Sequence, residues 1–412
     1  MQKIISILLT LISLNGFCQK DRYRFAETYF GFEAEYVNET GSFLHFNDGT
    51  INTEKLPSQI TPRILIGGTH FWRHADFYIS IPLSNLHFGG SDQVTLNNDV
   101  FTGFRYLPLS LEDNSIRPYI GVGLHSKGFK IESGPSYTNW QWFYEAGINY
   151  RKNNKIFGLE MRYMAQNNFY NAYTRTDFQT TELSPFSFSM SYKIAFDATA
   201  GYSSEGSKRY MKKIYEKAEK EGALSAFSFG LGLNAIIPTG KTELASQQVF
   251  FNDEIDGSLT IDLGVGYYSN PLNSSFRLSY RPIQQKETAF DYTYQLFNHS
   301  VAAEAFKFIG DYHGFAPFVG PYISLNKYRI KEIDFGNTVR DESRTEMGYG
   351  VVFGWDIKQS DVDYITLRTN LRYTPEFNFK SGGYKFTSEH IEFNFIQIVY
   401  YPERHKIYKQ KN

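Results

Sequence analysis

The chain of 412 residues contains one cysteine, Cys18. A lone cysteine closes no internal disulfide and builds no cysteine-based metal site. Long hydrophobic runs are also missing. After the eleven-residue apolar run at the N-terminus, which is itself too short, no stretch reaches the roughly 20 apolar residues that a membrane helix needs. An excess of one charge is missing too, with 42 Lys and Arg against 43 Asp and Glu and a formal charge of −1. That balance gives nucleic acid no reason to bind. Nine histidines occur, yet none forms a helical metal-binding pair, since His70 and His74 flank a turn. No G-x-S-x-G elbow is present for a hydrolase. No catalytic residue, metal ligand or cofactor is therefore expected, and the chain does not read as an enzyme.

Aromatic residues are what the chain has in quantity. They make up 17%, with 37 Phe and 31 Tyr, while the mean hydropathy is −0.40. The N-terminus reads as a secretory signal over 1–18. Lys3 supplies the charge, Ile4 to Leu14 the apolar run, and Gly16-Phe17-Cys18 the cleavage site before Gln19. An exported chain that spans a membrane without apolar helices must do so as a closed β-barrel, which leaves no backbone group unpaired in lipid.

The hydrophobic period is two. In Tyr29–Val37, Phe30, Phe32, Ala34 and Tyr36 share one face, while Gly31, Glu33 and Glu35 share the other. Aromatic-out and charged-in alternation suits a barrel with an apolar exterior and a polar lumen. Sixteen such strands are expected, near 28–37, 62–70, 75–83, 98–107, 116–126, 140–150, 155–165 and 185–196, then 226–237, 258–268, 273–282, 299–309, 316–326, 346–357, 363–374 and 390–401. Short and long connections alternate, so both termini fall on the periplasmic side. The tryptophans Trp72, Trp140, Trp142 and Trp355 read as interface belts.

The two sets of eight repeat one another. Arg117-Pro118-Tyr119-Ile120-Gly121 recurs as Ala316-Pro317-Phe318-Val319-Gly320, and Arg162-Tyr163 as Arg372-Tyr373. The domains are then a first repeat over 19–196, a linker over 197–225, a second repeat over 226–401 and a periplasmic tail over 402–412. In the linker, Gly206–Glu221 reads as a charged helix stopped by Gly222. Met211, Ile214, Tyr215 and Ala218 form a narrow apolar stripe on it.

In strand number, alternation and loop asymmetry, each half resembles the small eight-stranded outer-membrane barrels of the OmpA and OmpX type. The resemblance implies an antiparallel up-and-down barrel in the outer membrane, and it carries over no functional residue. Two closures satisfy the pattern. One sixteen-stranded barrel would have a water-filled lumen and act as a porin-like passive channel for small solutes. Two tandem eights would be plugged by their own side chains. Single chains usually make one barrel, so the sixteen-stranded closure is the expectation and the tandem pair the alternative. The inward charges would be Glu33, Glu35, Arg63, Arg105, Glu145, Glu160, Arg162 and Lys193 in the first half. In the second they would be Asp262, Arg277, Arg281, Lys307, Glu346, Asp356, Arg368, Arg372 and Glu392. Expected partners are outer-membrane lipid and, for a non-conducting barrel, an extracellular ligand or envelope protein.

Overall fold

The computed structural model describes residues 26–409, apart from 48–49, 132–133, 135, 198–204, 241–247, 249, 252–257, 312–313, 359, 376–377, 382–383 and 388. The expected signal segment and its cut lie outside the described residues.

Two closed antiparallel barrels stand in the chain, each of eight strands. The first uses β1 (Glu27–Val37), β4 (Ser58–His70), β5 (Ala75–Pro82), β7 (Val94–Tyr106), β8 (Ser115–Ile131), β9 (Ser136–Lys152), β10 (Lys155–Met164) and β13 (Phe186–Asp197). It closes where β1 pairs with β13, Glu33 lying opposite Ser191. The hairpins β2 (Ser42–Asn47) with β3 (Thr50–Lys55), and β11 (Asn168–Ala172) with β12 (Phe178–Glu182), fill its long loops, and β6 (Leu86–Phe88) adds to the β4 edge.

The second barrel uses β14 (Ala226–Pro238), β15 (Ser258–Ser269), β16 (Ser274–Ala289), β17 (Tyr292–Phe308), β18 (Phe315–Asp334), β19 (Asn337–Ile357), β20 (Ile365–Thr374) and β23 (His390–Tyr400). It closes between β14 and β23. A third small hairpin, β21 (Asn378–Ser381) with β22 (Tyr384–Thr387), follows β20. The expectation of one sixteen-stranded barrel is corrected here. β13 gives its free edge to β1 rather than to β14, because each half can already satisfy its own edges and the connection between halves is long enough to leave them separate.

The duplication survives in three dimensions. Tyr119 and Phe318 sit on the fifth strand of their barrels, and Arg162 and Arg372 on the seventh. The shared glycine has a steric cause. A Cβ on Gly121 would lie 2.7 Å from the Phe104 carbonyl oxygen, and one on Gly320 would strike the Ala305 carbonyl.

Burial alternates as a membrane barrel requires. In β1, Glu33 and Glu35 are buried while Phe30 and Phe32 are exposed. In β16 the alternation runs unbroken for the whole strand. It fails in β5, where both faces are buried. There the first barrel meets the second. Ile66, Ile79, Ile81, Val100 and Trp140 pack on Ala235, Phe393, Phe395 and Ile396. Lower down, Phe77 meets Trp355 and His70 meets Phe315. Trp140 and Trp355 therefore lie at the seam between barrels, not in a lipid belt.

A bulge in each barrel builds that seam. β7 slips register between Asn98 and Phe101, which turns Val100 outward. β23 slips between Asn394 and Gln397, which turns both Phe395 and Ile396 outward. A bulge re-aims side chains in this way and leaves backbone groups without ladder partners. Arg63 donates to the carbonyls of Asn98 and Asp99, and the Thr369 hydroxyl donates to the Phe395 carbonyl at 2.8 Å.

The outer ends of β16 to β19 run much farther than the expected strands. Tight turns with positive φ at Phe290 and Asp291, and at Phe335 and Gly336, join them. The polar residues there were expected as loops, yet the ladder carries them on as a four-stranded sheet above the barrel.

The helix expected at 206–221 is α1 (Glu205–Lys220), and the tail carries a second, α2 (Pro402–Lys409). Ile214 and Ala218 pack on Val362 of the β19–β20 turn and on Ile407 of α2. The apolar stripe of the linker thus docks on the rim of the second barrel.

Candidate functional site

Both lumens are filled by ion networks. In the first barrel, Arg162 reaches Glu33 at 2.9 Å, Glu35 at 3.3 Å and Glu160 at 2.9 Å. Arg105 reaches Glu160 at 2.6 Å, Glu145 at 3.0 Å and Asp76 at 3.3 Å. Arg63 pairs with Glu35, and Lys193 lies 3.8 Å from Asp76. Tyrosine hydroxyls take up remaining acceptors: Tyr29 donates to Asp76, Tyr78 to Glu145 and Tyr119 to Glu160. At the mouth where the chain enters the barrel, Glu27 is clamped between Arg73 and Arg151. At the opposite mouth Lys127 pairs with Glu39. Every one of these charges is buried.

The second lumen repeats the scheme. Arg372 meets Glu304 at 2.8 Å, Asp262 at 3.2 Å and Glu392 at 3.4 Å. Arg277 is bound to Asp262 at 2.7 Å, and Arg281 to Glu392 at 2.5 Å. Asn394 and Gln397 donate to Asp262, and Asn234 donates to Glu392. One layer lower, Arg368 holds Asp356 through two hydrogen bonds of 2.7 and 2.9 Å.

Fifteen of the seventeen residues expected in the lumens are buried there; Lys307 and Glu346 are not. Lys307 shares its face with the exposed Val301, so it points outward and bends to the Leu272 carbonyl at the turn. Glu346 has inward parity but stands half-buried above the level where β20 pairs with β19. The sequence reading missed Glu304 and Asp76, both central acids. Strict alternation from Ser300 would have found Glu304, since Ser300, Ala302 and Glu304 share a buried face. Asp76 begins a strand next to a turn, where no period is yet established.

A void of about 10 Å³ sits among Arg281, Asn298, Asn326 and Glu392. That is room for about one water. In the first lumen, both ring nitrogens of His125 and the amide of Asn98 lack hydrogen-bond partners among the described residues. Under the second barrel a partly open cavity of about 260 Å³ is lined by Tyr215 of α1, Arg404 of α2, Tyr401, Tyr268 and Lys358, among others. Burial would lower the Lys358 ammonium, but Asp311 and Asp361 beside it hold it above its ordinary value.

The outer sheet also joins the two barrels. The Tyr137 hydroxyl donates to the Phe250 carbonyl, and Arg175 pairs with Asp334 at 2.9 Å. Ala172 packs with Phe250, Phe251, Tyr292 and Tyr294.

No family model and no curated protein matches the chain. Among solved structures, it is similar to Neisserial surface protein A at 17% identity, over 43% of this chain and 98% of that one, with a TM-score of 0.33. It is similar to the attachment invasion locus protein of Yersinia pestis at 13% identity, over 43% and 96%, with a TM-score of 0.27. An outer membrane channel from Pseudomonas putida is 9% identical over 93% of this chain and 98% of that one, with a TM-score of 0.23.

Proposed function

We propose that the chain is an outer-membrane protein whose two barrels are sealed, and that it works through its ends as a structural or binding protein. Two closed barrels with exposed Phe, Leu and Ile around charged interiors suit only a lipid surround. The single observation that carries the sealed reading is the packing of fully buried arginines across both lumens. A closed eight-stranded barrel has an interior just wide enough for side chains to fill it. Here Arg105, Arg162 and Arg372 each bind carboxylates from several strands, so opening a path means separating buried ion pairs. Breaking one by losing a partner costs about 3–5 kcal/mol. A porin-like channel for small solutes, the other reading of the sequence, drew its support from the sixteen-stranded closure.

Planar-bilayer recording on the purified full chain tests this. The expected trace shows no steady conductance of porin size while the same sample keeps heat-modifiable mobility on a detergent gel. Steady, ohmic steps of porin size from folded protein would sink the sealed reading and restore the pore.

A further inference from the structure

The sheet above the second barrel has two edges with different fates. The β16 edge lies against β9 of the first barrel. The β19 edge does not. From Asn337 to Gly350, β19 pairs with β18 on one side, and among the described residues no strand pairs with it on the other. No residue from Asn337 to Met347 is buried. A long open edge is a ready template for another strand.

The side chains along this edge say which strand would fit. They read Val339-Arg340-Asp341-Glu342-Ser343-Arg344-Thr345-Glu346-Met347. Laid antiparallel on a second copy about Ser343, Arg340 falls opposite Glu346 and Glu342 opposite Arg344. On the other face Val339 falls opposite Met347, two apolar side chains that are 58% and 65% exposed. Asp341 falls opposite Thr345, and Ser343 opposite itself. No like charges meet, which is the condition that edge pairing must satisfy. Within one copy, Arg340 binds Glu332 and Arg329 holds Asp341, keeping that carboxyl below its ordinary value. Arg344 and Glu346 make no ion pair among the described residues.

We propose that β19 is a homophilic contact strand that pairs with β19 of a second copy around a two-fold axis at Ser343. The orientation of the partner follows from the geometry. β19 runs unbroken from the barrel wall into the sheet, and barrel strands tilt only about 35–45° from the barrel axis. Antiparallel pairing reverses the strand direction, so the partner's barrel points the opposite way. Two such copies cannot share one bilayer, and they meet from facing membranes. Ser343 stands eight residues beyond Val351, where β20 pairing ends, a reach of roughly 27 Å along the strand. The contact is thus a device for joining surfaces that both carry this protein. It rests on the reading that this end of the molecule lies outside the membrane.

The test uses the full chain with Cys18→Ser, reconstituted into two populations of phosphatidylcholine vesicles carrying different dyes. Vesicles should co-cluster only when both populations carry protein. Ser343→Cys should give a disulfide-linked dimer under mild oxidation, because opposite residues of an antiparallel pair lie within disulfide reach. Val339→Cys should not, because it faces Met347 and its own copy lies eight positions away. Arg344→Glu should abolish clustering, and Glu342→Arg with Arg344→Glu should restore it. Three outcomes overturn the proposal: folded protein that neither clusters nor cross-links at Ser343→Cys, equal dimer yields at Val339→Cys, or cross-linking without clustering. Conductance plays no part in the readout, so a conducting protein that still clusters vesicles would overturn the sealed-barrel reading alone.

Discussion

Arg162 and Arg372 are the residues on which the two interiors turn. Each takes its carboxylates from more than one strand, and each is almost fully buried. Replacing Arg162 with Met leaves Glu33, Glu35 and Glu160 facing one another without their shared cation. The expected loss is about 3–5 kcal/mol, read as a lower urea midpoint for the folded protein in detergent. Lys212→Met on the exposed face of α1 should change the midpoint by less than about 0.5 kcal/mol. If both variants unfold alike, the lumen network contributes nothing to stability. These arginines were legible in the sequence because each stands between outward apolar side chains, Met161 and Tyr163 or Leu371 and Tyr373, in an unbroken period of two. Lys307 was not placed correctly for a reason of the same kind. A long side chain near a strand end can lie outward and still reach a backbone carbonyl, so charge alone does not fix its face.

At the scale of elements, all sixteen barrel strands and the linker helix were legible. Their lengths were not. Beyond the barrel, β16 to β19 exchange apolar residues for Lys, Gln, Arg and Thr on the outer face, and only the ladder to the next strand keeps them extended. A sequence shows no ladder. The bulges at Asn98–Phe101 and Asn394–Gln397 were hidden for the same reason, since one extra residue resembles an ordinary break in the pattern. Each barrel closes its own edges, so residues 26–197 and 222–409 should each refold alone in detergent as a monomer with heat-modifiable mobility. Aggregation of both halves, with the full chain folding under the same conditions, would mean that the seam is needed to close the barrels.

For the whole molecule, the choice between one ring and two depends only on which strand takes the edge of β1. The local pattern is identical in the two cases, so the sequence could frame the alternatives and not decide them. A protease site placed within 198–204 should allow the linker to be cut while the two barrels stay together. Co-migration of the halves through size-exclusion in mild detergent is the expected result. Separation into two species would show that the Ile79, Val100 and Phe395 cluster holds only because the chain is continuous.

The facing bulges have one more consequence. A single barrel is nearly round in the plane of the membrane, and turning it about its axis changes nothing its neighbours can feel. Here Val100 and Phe395 lock two rounds together at one rotational setting. The outline becomes an oblong with a long side, a short side and a heading. Among crowded neighbours an oblong packs along preferred directions, so a sheet of these molecules can acquire grain where a sheet of discs has none.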